Sequence, residues 1–137
     1  MKQFIVLLLI VSLSGCSKMP INGQLDGLWH LTSRTDKNGA TTDTKADRIY
    51  YAFQLHLMGL QWEGDIRYLG RFEQTPDSLF VSDFRLDIWG DNSQTAQEGE
   101  LDKWGIPGTA ERFGIEELTR SRLILRSETT TLTFRKF

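Results

Sequence analysis

Two histidines, His30 and His56, one cysteine, Cys16, and eighteen aspartates and glutamates are the side chains with which this 137-residue chain could do chemistry. A zinc centre takes about four ligands, at least three of them from protein. Two distant histidines with no close acidic partner fall short of that, so a structural role is expected for both. Cleaving a glycosidic bond needs two carboxyl groups roughly 5 to 9.5 Å apart across a cleft. Most carboxylates here, Glu63, Asp65, Asp77 and Asp91 among them, fall at turns, and their spacing selects no pair. Serines and threonines are many, yet there is no Gly-x-Ser-x-Gly elbow, phosphate-cradling loop or dinucleotide fingerprint. A non-catalytic chain holding neither cofactor nor metal is expected.

The cysteine points to a different chemistry. Met1-Lys2-Gln3 is a short basic start, and Phe4 to Leu13 is an apolar run broken only by Ser12. That is the layout of a secretory leader. At about ten residues the run is well short of the roughly 20 that a membrane-crossing helix needs. Leu13-Ser14-Gly15-Cys16 places a leucine and two small residues directly before the only thiol, and it resembles the lipobox of bacterial lipoproteins. The resemblance implies cleavage between Gly15 and Cys16, a diacylglyceryl thioether on the Cys16 sulfur, and acylation of the new amino terminus. Each buried methylene contributes about 0.8 kcal/mol, so several chains together make release negligible.

The expected organisation is a leader over 1–15, a lipidated cysteine and linker over 16–25, and one domain over 26–137. The linker, SKMPINGQL after the cysteine, has a proline, a glycine and little periodicity. Consuming Cys16 leaves no thiol for a disulfide, a metal or a nucleophile. In some outer-membrane lipoproteins an acidic run after the cysteine resembles a surface-export signal. Here Lys18 is the only charge before Asp26. The periplasm-facing side of the outer membrane is therefore the expected address.

Net charge is −2 over the whole chain and becomes −3 once Lys2 leaves with the leader. A nucleic-acid binder would concentrate basic charge instead. The aromatics are the better lead to binding. Tyr50, Trp62, Tyr68, Trp89 and Trp104 fall on or near loops, or on the less regular faces of strands. Planar rings there can stack on sugars or line an apolar pocket, with core packing as the alternative for each. Arg67 and Arg71 share one face of a strand, where they either hold an anionic group or, the favoured option, flank acidic neighbours across the sheet.

These side chains need elements to hold them, and the patterning is that of strands. Gly27 to Thr35 alternates, with Trp29, Leu31 and Ser33 on one face. Ala40 to Asp47 reads as a loop or weak edge strand. Arg48 to Met58 (RIYYAFQLHLM) alternates throughout, which places Ile49, Tyr51, Phe53, Leu55 and Leu57 on one face of a single long strand, followed by a bend at Gly59. Ile66–Gln74 and Ser78–Leu86 make a meander, and strands recur near Phe113–Leu118, Arg122–Ser127 and Thr131–Phe137. Between Gly90 and Gly108 the pattern breaks. Thr95 with Glu98 has the form of a capping box, and the spacing of Ala96, Leu101 and Trp104 predicts a short helix over 95–104.

Gly27-Leu28-Trp29 within LDGLW resembles the opening of lipocalins, where a glycine, a spacer and a tryptophan start the first strand and the ring plugs one end of the barrel. The order of lipobox, LDGLW, the aromatic strand, YLGRF, DSLFVSDF, WGI, RLILRS and LTFRKF is similar to the lipocalin-like lipoproteins of Bacteroides and its relatives. The resemblance implies an all-β chain, a small antiparallel β-barrel of about six to eight strands with one late helix, tethered to the outer membrane. An eight-strand barrel is roughly the size that holds one small ligand. Two functions are expected from this. The first is a membrane-anchored, non-catalytic module that holds a small apolar or amphiphilic molecule, or a glycan fragment, in its mouth. The alternative is an accessory lipoprotein that docks on another envelope protein through a strand edge left by incomplete closure.

Overall fold

The computed structural model describes residues 21–86 and 94–137. Its strands are β1 (Gly27–Asp36), β2 (Thr41–Asp43), β3 (Ile49–Gln54), β4 (Leu57–Trp62), β5 (Asp65–Gln74), β6 (Ser78–Leu86), β7 (Glu111–Leu118), β8 (Arg122–Arg126) and β9 (Thr130–Lys136). From β3 onward each strand pairs antiparallel with the next in the chain, and β1 pairs with β3 on one side and β9 on the other. Eight strands thus close into a barrel. The short β2 stands outside the ring, held only to the far half of β1 from Ser33↔Asp43 to Thr35↔Thr41.

Alternation along the strands decides what fills the barrel. Trp29 and Leu31 of β1, Tyr51 and Phe53 of β3, Met58 and Leu60 of β4, and Leu132 and Phe134 of β9 are all buried. Their neighbours in sequence face outward. Burying a side chain of this size contributes roughly 1.5–3 kcal/mol, so a one-residue slip of any strand would turn that contribution into exposure. Register shifts in β1, β5 and β7 mark bulges. Bulges add local twist, which a small sheet needs in order to curl shut.

Two expectations are corrected. The long strand over Arg48–Met58 is in fact a hairpin, with β3 ending at Gln54, a turn at Leu55-His56, and β4 starting at Leu57. Gln54 and Leu57 face each other across the turn. The inward face therefore passes from Phe53 to Met58, and Leu55 and Leu57 are 52% and 48% exposed. His56 lies in the turn and not on a strand. Leu55 takes a left-handed φ of 57°, a conformation that hairpins normally give to Asn, Asp or Gly. Asn22 supports it from outside, its amide Nδ2 donating to the Leu55 carbonyl at 2.8 Å.

The helix expected over 95–104 shrinks to one 3-10 turn, Asp102–Trp104. Thr95 forms a bridge with Arg85, and the Ala96 N–H donates to the Phe84 carbonyl at 2.8 Å, so the backbone that would start a helix extends β6 instead. Gly99 then adopts a φ of 93°, which no residue inside a right-handed helix can hold. No helix among the described residues is long and apolar enough to cross a membrane.

Candidate functional site

The up-and-down order gives the barrel two different ends. At the first, the 3-10 turn Gly23–Leu25 lies beside the Leu55-His56 turn. Trp29 is fully buried there, and its indole N–H donates to the Leu25 carbonyl at 2.8 Å. The Lys136 ammonium sits 4.5 Å over the indole ring and donates to the carbonyls of Gln24 and Asp26. Burial pulls the Lys136 pKa down, against the opposing pull of the Asp26 carboxylate. Gly27 has a φ of 125°, and a β-carbon there would lie 2.7 Å from Lys136 Cε. Glycine two residues before the tryptophan thus lets the chain turn under the ring while the lysine covers it.

The opposite end is the mouth, and the 94–110 segment fills it. Ala96, Leu101, Trp104 and Ile106 are buried among the core residues. The Tyr51 hydroxyl donates to the Trp104 carbonyl from inside the barrel, and burial pushes that phenol well above its ordinary range. The Trp104 indole N–H donates to the Gln61 carbonyl at 3.0 Å, and its ring meets Tyr68 edge-on at 5.6 Å. The Tyr68 hydroxyl donates to the Glu100 carboxylate at 2.8 Å. Burial first, and that hydrogen bond second, push the Tyr68 pKa up to about 12. Rings that the sequence offered as pocket lining are here a stopper.

Beside the stopper a cleft of about 450 Å³ remains on the rim, lined by Arg34, Thr42, Thr44, Asp47, Trp62 and Lys103 among others. The Lys103 ammonium lies 3.8 Å over the Trp62 ring and the Arg67 guanidinium 5.2 Å from its centre. Cations held over an indole are attracted by the ring's quadrupole. Arg34 donates from Nη2 to the Lys103 carbonyl, while its Nε is buried with no partner among the described residues. The Thr44 hydroxyl donates to the Leu31 carbonyl at 2.8 Å and clamps the loop to β1. Fixed hydroxyls, two cations and the carboxylates of Asp47 and Glu63 around an indole make a surface suited to a polar, hydrogen-bonding solute.

The structure gathers only some of the residues expected to bind. Trp62, Tyr68 and Trp104 share the mouth end, but only Trp62 lines the cleft. Tyr50 is on the outer wall, stacked on His30 at 4.9 Å and met edge-on by Phe137 at 5.5 Å. Trp89, and the expected cleavage and lipidation residues Gly15 and Cys16, lie outside the described residues. His30 Nε2 is 3.1 Å from the Lys45 carbonyl. Among the described residues no group of three His, Cys, Asp or Glu could hold a metal ion. Arg67 pairs with Asp65 at 3.7 Å and Arg71 with Asp83 at 3.6 Å, as partners of acidic neighbours. Sequence reasoning missed Arg34, Thr44 and Lys103. They come from three separate segments, and nothing local to any of them signals the others.

Comparison with known proteins gives the same architecture. A solved lipocalin-like protein from Bacteroides uniformis superposes with a TM-score of 0.65 at 22% identity, covering 84% of this chain and all of that one. An uncharacterized protein from Bacteroides eggerthii superposes with a TM-score of 0.58 at 22% identity, covering 82% of this chain and 99% of that one. No curated protein matches. The family profile for the lipocalin-like domain matches residues 10–137. A closed eight-strand barrel, opened by a glycine-x-tryptophan turn and matched along nearly its whole length, places this chain in the lipocalin-like domain family.

Proposed function

We propose that this chain is a non-catalytic binding lipoprotein of the cell envelope that takes its ligand in the rim cleft and not inside the barrel. The observation that carries the reading is the stopper: Leu101, Trp104 and Ile106 occupy the mouth, and the cleft beside them is polar. Of the ligand classes expected for the barrel, that lining favours a glycan fragment, and one bearing a carboxylate, over an apolar molecule. Lys103 and Arg34 would meet the carboxylate, and Thr42, Asp47 and Glu63 the hydroxyls. The lipobox resemblance at Leu13–Cys16 supports anchoring through Cys16, on the periplasm-facing side of the outer membrane.

Titration of the mature protein with neutral and uronic-acid oligosaccharides, followed by calorimetry and amide chemical shifts, tests the ligand. Saturable binding of the acidic sugar is expected, weakened roughly ten- to hundredfold in Lys103→Ala, the worth of one charged hydrogen bond. Tight binding of a fatty acid with shifts at Phe53 and Phe134 instead would place the ligand in the interior and end the reading. Docking on another envelope protein through a strand edge is the weaker alternative. Closure of β1 on β9 removes the long edges it relied on, and of the described strands only the three-residue β2 pairs on one side alone.

A further inference from the structure

Four large apolar side chains stand together on the outer wall, in a band that runs from the Leu55-His56 turn toward the mouth end of β5. Leu55, Leu57, Ile66 and Leu69 are 38–52% exposed and surround a depression of about 270 Å³ floored by Ala52 and Gly59. The depression exists because Gly59 has no side chain. A β-carbon there would meet Ile66, Ala52 and Leu69 only at 3.7–3.9 Å. The strand register makes the patch one continuous band, since Leu28 faces Ala52, Ala52 faces Gly59, and Gly59 faces Leu69 on adjoining strands. Phe137, 79% exposed, extends it beyond Leu28, to whose carbonyl its N–H donates at 2.9 Å. Arg85, opposite Leu69, and Arg71, opposite Leu57, close the other side, both paired with Asp83.

Where the tether meets the domain says what covers this band. Asn22 donates to the Leu55 carbonyl, so the chain enters the barrel at the edge of the patch, and Ile21 just before it is 67% exposed. Five peptide links separate Ile21 from Cys16. They reach about 18 Å at most, while a domain of roughly this size has a radius of gyration of about 13 Å. Such a tether holds its exit, and the residues around it, within about 18 Å of a surface that holds the anchor.

We propose that the band around Leu55, Leu57, Ile66 and Leu69 is a membrane-docking face, lying against the lipid surface in which the Cys16 anchor is seated. The proposal rests on the anchored reading above. It sets the barrel on its side wall.

Because acylation consumes Cys16, a cysteine introduced elsewhere is the only free thiol, and a nitroxide can be placed at Leu57→Cys or Leu69→Cys, with Glu128→Cys at the far end as control. The acylated protein is bound to vesicles of phosphatidylethanolamine and phosphatidylglycerol, with flotation and intact mass reporting the anchor and circular dichroism the fold. The labels at 57 and 69 are expected to lose collisions with a water-soluble nickel chelate several-fold on vesicle binding and to gain them with oxygen, while the label at 128 is unchanged. Protein that floats with all three labels equally open to the chelate overturns the docking face and leaves the anchor standing. Protein that carries no acyl chains and fails to float overturns the anchor itself, and the docking face with it. Dipolar broadening between labels at 69 would give the patch to a second copy. Protection in native envelopes but not in pure lipid would give it to a protein partner. Either result overturns the proposal.

Discussion

Tyr68 carries an ionisation that the barrel resists within a measurable range. Its ring is buried at the mouth and its hydroxyl is spent on Glu100. In the unfolded chain a tyrosine ionises near pH 10, whereas here burial and the carboxylate move it to about 12. Between those values the folded protein keeps a proton that the unfolded chain has released. The stability from this group is therefore complete below about pH 10 and is lost as pH rises through about 12. Tyr51, shifted further in the same direction by its burial, steepens the loss. Urea midpoints measured through this alkaline range should fall, and Tyr68→Phe should flatten the fall while leaving its neutral-pH barrel intact. Single residues were unevenly legible. Trp29 and Gly27 announced themselves because a turn under a buried ring leaves a local mark. Arg34 and Lys103 did not, because their proximity depends on a loop folding across the mouth.

Among the elements, the 94–110 segment has most bearing on function. Trp104 is held by its own indole N–H, by the Tyr51 hydroxyl and by the edge of Tyr68. Trp104→Ala should cost about 3–5 kcal/mol, the usual range for emptying a large buried aromatic site. The void would open on Tyr51 and the apolar interior, and a cavity so lined stays dry and takes apolar guests. Denaturant midpoints and fluorescence titration with a small aromatic dye check both halves, with dye binding expected in the variant and not in the parent. Strand periodicity located β5, β6 and β9 to within a residue or two. It failed at Leu55-His56, where neither residue advertises a turn and the apolar alternation runs through it unbroken. It failed again at 95–104, where helix-like spacing of Ala96, Leu101 and Trp104 arises from a loop that buries three side chains into one opening.

At the scale of the whole molecule, the seam between β1 and β9 holds the ring together. It runs from Trp29↔Lys136 to Asp36↔Thr130 and joins the two ends of the domain. Without β9 the buried faces of β1 and β8 would both open to water. Deleting 130–137 should therefore abolish cooperative unfolding altogether, read as loss of the near-ultraviolet dichroism of the packed tryptophans. Barrel architecture was foreseeable from evenly spaced short strands and the family resemblance, but closure itself was not, since the strand count hinged on a hairpin hidden in one apolar run.

That seam also fixes a timetable. The first strand leaves the ribosome with its apolar face bare, and β9, one of its two neighbours in the ring, follows only after every other strand of the barrel. Until β9 has been made the ring cannot shut, so closure is a late event that joins distant parts of the chain.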